Sequence, residues 1–193
     1  MVAGQGSGVH DAPLPACLIV AHCRAGFEPE AATDLRRLAE AAGAPITVDA
    51  PLGRGFVVGD LARFEPRPWP RAFERTPPIF VRSLFFGTGP HALFDPATAS
   101  GRPDRVVPLV ALIERFRAGF PLPDLQPRTG EHTNGFTLRL ETPDTNDGKE
   151  LSGLARALAA RLANAMQARG VRCVAADVAT AGGTHLHVLF ADG

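Results

Sequence analysis

Three places in the chain carry residue types at spacings that could do chemistry. His185 and His187 stand two apart on a stretch that reads as a strand, so both face the same way, as two ligands of one metal would. No third ligand lies near them, and histidines placed so on a strand are more often structural. His22 beside Cys23 also invites a metal, but strand neighbours point to opposite faces, so the two do not readily share an ion. The third place is Asp144 to Leu151, where a strand hands over to the longest helix. Free N–H groups and the positive end of a helix at such a turn suit an anion, and Lys149, the only lysine, falls in its first helical turn. Asp144, Asp147 and Glu150 make the turn acidic, however, which argues against a simple phosphate pocket. A capped helix start with a solvated lysine is the plainer reading of these residues.

No other catalytic pattern is present. The chain has no Gly-x-Ser-x-Gly, no P-loop and no credible Cys–His–Asp arrangement. Gly53 and Gly55, and the pair Gly182 and Gly183, read as turns between strands rather than as the strand-to-helix fingerprint of a nucleotide cofactor. Cys17, Cys23 and Cys173 are odd in number and lack metal-type spacing, which fits a reducing, cytosolic setting.

The elements that must position these residues follow from periodicity. Ala16 to Cys23 is an apolar run of strand length. Glu28 to Ala42 has Ala31, Leu35, Leu38, Ala39 and Ala42 on one helical face, with Gly43 as the stop. Ile46 to Asp49 and Phe56 to Val58 read as strands around a turn at Pro51, Gly53 and Gly55. Trp69 to Arg75 is a short helix crowded by Pro66, Pro68, Pro70, Pro77 and Pro78. Ile79 to Phe86 is a strand that opens a second domain, with the proline-rich 66–78 stretch as linker. Asp104 caps a helix to about Ala118, with Val106, Leu109, Val110, Ile113 and Phe116 inward and Pro108 tolerated in the first turn. Phe136 to Thr142 alternates as a strand. A capping box of Asp147 and Glu150 then opens a helix through Leu154, Ala155, Leu158, Leu162, Ala165 and Met166, ended by Gly170. Val171 to Val178 and His185 to Phe190 read as two strands joined in a hairpin by Thr180, Gly182 and Gly183. The 87–102 and 121–135 stretches are long loops, the second carrying Arg128 and His132.

The 193 residues suffice for one good core or two small ones, and acidic and basic residues balance at 20 each. A neutral chain is mild evidence against tight non-specific RNA binding. The cations are almost all arginine, whose forks hold phosphates bidentately, although genomic base composition gives the same bias. No apolar run is long enough to cross a bilayer, and Met1 to Pro15 reads as a flexible tail rather than a secretory signal.

Five segments carry a resemblance. Residues 143–151, Pro-Asp-Thr-Asn-Asp-Gly-Lys-Glu-Leu, resemble the Asp-Thr-Asn-x-x-Lys-Glu-Leu signature of the RlmM family, which methylates the ribose 2′-hydroxyl of a cytidine in 23S rRNA. Residues 23–28 are similar to that family's Cys-Arg-Pro-Gly-Phe-Glu, with Ala25 in place of proline. Residues 79–86 resemble its Ile-Phe-Ala-Arg-Gln strand, 104–110 its Asp-Arg-Ile-x-Pro helix start, and 187–190 its last strand. Their shared order makes the likeness specific.

The resemblance implies an α/β (α+β) chain: a tail over 1–15, a ferredoxin-like domain over 16–78 and a THUMP-like RNA-binding domain over 79–193. The family's catalytic Rossmann-type domain, with its S-adenosylmethionine, is expected to be absent, and the chain to be catalytically silent by itself. Lys149 lies within the THUMP signature and does not stand in for the family's catalytic lysine. The expected role is a cytoplasmic targeting module that positions 23S rRNA for a C-terminal methyltransferase domain. Lys149, Arg139, Arg156, Arg128, Arg82 and Arg24 are the expected phosphate contacts. Thr145, Asn146 and Gly148 are expected to fix the turn. A stand-alone module that binds RNA or a protein partner is the alternative, and an enzyme built on His185 and His187 a more distant one.

Overall fold

The computed structural model describes residues 18–91, 104–119, 136–171, 173–175 and 184–190. The expected tail, Cys17, Arg128, His132 and the Thr180–Gly183 turn lie outside these residues. The first half runs β1 (Leu18–His22), α1 (Glu28–Ala41), β2 (Ile46–Asp49), β3 (Phe56–Leu61), α2 (Trp69–Arg75) and β4 (Ser83–Gly87). Its four strands form one antiparallel sheet in the order β2-β3-β1-β4.

Alternation along β1 decides what each face does. Ile19, Ala21 and Cys23 turn to the helices and are buried, with Leu35, Leu38 and Ala39 of α1 and Trp69 and Ala72 of α2 closing the core. Each fully buried leucine contributes about 1.5–3 kcal/mol by leaving water. The helix face of α1 lies where the apolar spacing places it, and Gly43 follows the helix at φ +66°. At Gly59 the sheet is so close to α1 and β2 that an added Cβ would run into the Ile46 side chain.

Two expectations are corrected here. The 79–86 stretch does not open a second sheet: β4 pairs with β1, from Leu18 opposite Gly87 to His22 opposite Ser83. The proline-rich 66–78 stretch is not a linker either, because it holds α2, whose Trp69 is 2% exposed and packs edge-on to Phe86 of β4. Proline is tolerated there because it falls at the start of this short helix, where an N–H has no helical partner to lose.

The second half contains α3 (Val106–Gly119), β5 (Phe136–Glu141), α4 (Asn146–Gln167), β6 (Cys173–Ala175) and β7 (Thr184–Leu189). Asp104 accepts the Val106 N–H at 2.9 Å and caps α3 as its sequence predicts. Val106, Leu109, Val110 and Ile113 meet Ala155, Leu158, Leu162 and Met166 of α4 over the Phe136 and Leu138 side of β5. Among the described residues this sheet has three strands, in the order β6-β5-β7, with both outer strands parallel to β5. The expected hairpin between the last two strands is therefore not formed. They flank β5 instead of pairing with each other, and a hairpin joins only antiparallel neighbours.

Candidate nucleic-acid interface

The site is built at the junction of the two sheets, on turns that follow or precede their strands. The Cys23–Phe27 turn after β1 is held from below by Glu28. This carboxylate is buried at 0% exposure and accepts the N–H groups of Gly26 at 2.9 Å and Gly55 at 2.8 Å. Burial pushes its pKa up, but the backbone N–H donors around it prevail and hold the carboxyl below its ordinary value. Gly55 belongs to the β2–β3 turn, and its carbonyl accepts the Cys23 N–H at 2.9 Å. One carboxylate thus ties two turns together.

The Asp144–Leu151 stretch packs onto that pair. A Cβ built on Gly55 lies 3.5 Å from the Asp144 nitrogen and 3.5 Å from the Thr145 methyl carbon. Gly53, Arg54 and Phe56 on one side and Pro143, Thr145, Asp147, Gly148 and Leu151 on the other line a small cleft. The cap of α4 is Thr145, not Asp147: Thr145 Oγ1 accepts the Gly148 N–H at 3.0 Å, so the helix begins at Asn146. Gly148 then has a steric reason to be glycine, since a Cβ there would run into the Pro143 carbonyl.

Arg82 joins the same junction from the start of β4. Its N–H donates to the His22 carbonyl at 2.8 Å and its guanidinium to Asp144 Oδ2 at 3.1 Å, an exposed pair across the two halves. Deeper between the sheets, His187 Nδ1 donates to Glu141 Oε1 at 2.7 Å, while His22 Nδ1 lies 3.8 Å from Glu141 Oε2. Phe85 of β4 lies tilted against His187, ring centroids 4.1 Å apart, and meets His22 edge-on at 5.4 Å. The His187 hydrogen bond lowers the Glu141 carboxyl against the opposing effect of burial. Burial lowers His22 against the attraction of Glu141, so its neutral form is favoured.

The cations expected to touch phosphate divide accordingly. Arg24, Arg82 and Lys149 are exposed, each on or beside these turns. Arg24 does not pair with Glu28, whose oxygens are taken by backbone N–H groups. Arg156 is exposed on α4 and donates to its own helix at the Ser152 carbonyl, 3.4 Å away. Seven residues separate it from Lys149, which sets the two on one side of the helix. Arg139 is different: it is half-buried on the Glu141 face of β5, and its Nε finds no hydrogen-bond partner among the described residues. Arg128 lies outside the described residues.

Cys23 is 1% exposed, and burial with the nearby Glu28 charge pushes its thiol up to about 11, so it is no nucleophile. Cys23 enters the helix-side core while His22 faces the second sheet, as adjacent strand positions must. Among the described residues no three His, Cys, Asp or Glu side chains are grouped to hold a metal. The two connections from a strand into a long helix that lie wholly within the described residues, 23–27 and 142–145, contain Gly26 and no glycine respectively, so neither fits the glycine-rich cradle S-adenosylmethionine needs. Among the described residues no helix is long and apolar enough to cross a membrane.

An α/β chain with two sheets and three exposed cations, Arg24, Arg82 and Lys149, on or beside the turns at their junction is the class of protein this geometry defines. Comparison with known proteins gives the class a family. Residues 104–193 match the family described as ribosomal RNA large subunit methyltransferase M, N-terminal. Curated relatives carry the name ribosomal RNA large subunit methyltransferase M. That of Thauera aminoaromatica is 31% identical over 93% of this chain and 43% of its own length. That of Shewanella amazonensis is 32% identical over 78% of this chain and 36% of its own, and that of an Azoarcus species 30% over 89% and 41%. The likeness that the five motifs carry is thus borne out, and it is a likeness to the family's N-terminal region. The chain spans about two fifths of the length of these relatives.

The sequence did not reveal Glu28 or the Glu141–His187 bond as organisers. A signal existed for Glu28, since its charge opens a helix directly after a Gly-Phe turn, but nothing local marks it as buried.

Proposed function

We propose that this chain is the RNA-holding region of an RlmM-type enzyme, positioning 23S rRNA for S-adenosylmethionine-dependent methylation of a cytidine 2′-hydroxyl. The methyl transfer itself would be done by a domain in the remaining length that the relatives have and this chain does not span. In this reading the first half is a ferredoxin-like domain, which its strand–helix–strand–strand–helix–strand order supports. The second half is THUMP-like, and the boundary falls after β4 rather than before it. A cytoplasmic location goes with an rRNA partner.

One observation carries the proposal. Residues 23–28, 79–82 and 143–151 resemble the family in sequence, lie far apart along the chain, and meet at one junction through Gly55, Arg82 and Asp144. Their exposed cations, Arg24, Arg82 and Lys149, supply sequence-independent phosphate contacts, with RNA shape doing the rest of the selection. Salt-dependent binding of the chain to a 23S rRNA transcript tests it. Binding should weaken steeply with salt, and Lys149→Ala or Arg24→Ala should each reduce the slope of log K against log salt by about one. A wild-type chain that binds no RNA at low salt would overturn the proposal, and an unchanged slope would remove that residue from the interface.

A further inference from the structure

Two phenylalanines 53 positions apart in the chain lie side by side at the surface. Phe27 and Phe80 are 37% and 36% exposed, their ring centroids 5.7 Å apart and their planes within 18° of parallel. Ile79 beside them is 77% exposed. Apolar surface left in water is unfavourable, and nothing in the core packing demands this placement.

The pair is nevertheless held firmly in place from beneath. Asp34 of α1 is only 5% exposed, and its Oδ2 accepts the N–H groups of both Ile79 and Phe80 at 2.7 Å. Glu28, six residues earlier on the same helix and next to Phe27, fixes the Gly26 and Gly55 backbone. Two buried carboxylates on one helix thus fix the backbone that presents both rings. Arg24, exposed and without a partner among the described residues, sits in the same turn, its carbonyl accepting the Phe27 N–H at 3.0 Å.

We propose that Phe27 and Phe80 form a stacking platform for an unpaired base of single-stranded RNA, with Arg24 on a neighbouring phosphate. The proposal rests on the RNA-binding reading and adds what that RNA must present there: an unpaired base, not a duplex. Aromatic faces stack on any base, and a cation alongside takes the backbone. A protein partner fits less well. Within 23–30 and 79–82 the exposed large hydrophobics are only Phe27, Ile79 and Phe80, with the charged Arg24, Glu30 and Arg82 among them in sequence, whereas protein interfaces bury broad patches.

The test uses the full chain and a short single-stranded RNA carrying 2-aminopurine, beside the fully paired duplex of the same sequence. The single strand should bind more tightly, with its fluorescence quenched by stacking. Phe27→Leu/Phe80→Leu should weaken it about tenfold or more and abolish the quenching, leaving the salt slope unchanged. Phe27→Tyr/Phe80→Tyr should restore both, which separates a lost ring face from a damaged fold. Unchanged affinity in the leucine variant, or equal loss on the duplex, would overturn the platform while leaving RNA binding by the chain intact. Absence of wild-type binding to either RNA would overturn both readings. Self-association that disappears in the leucine variant, with no effect on RNA, would assign the rings to a protein contact and also overturn it.

Discussion

The carboxylate of Glu28 shows how one side chain can organise a binding surface it never touches. It is buried without a cationic partner among the described residues, an arrangement tolerated because backbone N–H groups of Gly26 and Gly55 satisfy it. Glu28→Gln keeps the shape but turns one acceptor into a donor facing backbone N–H. It should cost about 1–3 kcal/mol at neutral pH, read by urea unfolding. The sign with pH follows from the shift. The folded-state pKa lies below the ordinary 4.5, so the stability Glu28 contributes is present in full above 4.5 and is lost as pH falls through the folded value. The gap between wild type and variant should therefore close in acid; a gap independent of pH would mean that the carboxylate's charge is not what the turns need. Residues of this kind are hard to read in a sequence. An acid at a helix start normally signals a solvated first turn, and the burial of Glu28 and Asp34 depends on segments 27 and 45 positions away. Phe27 and Phe80 were hidden for the same reason, because an aromatic residue next to a strand reads as core.

At the scale of elements, α1, α3 and α4 were legible because apolar spacing reports a face directly, and Leu35, Val110 and Leu162 lie where that spacing puts them. The start of α4 was not, since Asp144, Thr145, Asn146 and Asp147 can all cap a helix and local chemistry does not choose among them. Packing chooses: Pro143 and Gly148 approach so closely that only a start at Asn146 brings the Thr145 hydroxyl to the Gly148 N–H. Gly148→Ala should destabilise the protein by about 1–3 kcal/mol through that overlap. Gly153→Ala, on the exposed side of the same helix with open space around its Cβ, should instead stabilise it by about 0.5–1 kcal/mol. Equal effects in a denaturation series would show that helix propensity, not the Pro143 contact, governs the turn. Strand partners were least legible of all. Apolar alternation in 83–87 gives a strand but not its neighbour, and the glycine pair at 182–183 resembles a hairpin turn although β6 and β7 flank β5.

At the scale of the whole molecule, the two halves meet through polar and aromatic contacts: Arg82 with Asp144, His22 with Glu141, and Phe85 against His187. The exposed Arg82–Asp144 pair contributes about 1 kcal/mol at most, so the arrangement is suited to presenting turns rather than to sealing a core. A neutral net charge is compatible with RNA binding on these terms, because what matters is where the cations stand and not their sum. The most direct measurement is ultraviolet cross-linking of the chain to a 23S rRNA transcript, with the linked peptides mapped by mass spectrometry. Cross-links should fall in residues 23–28, 79–82 and 143–151, and fade together as salt is raised. Cross-links confined to the far side, around Glu40 to Ile46 and Arg63 to Arg67, or none at low salt, would contradict the assignment of this junction to RNA.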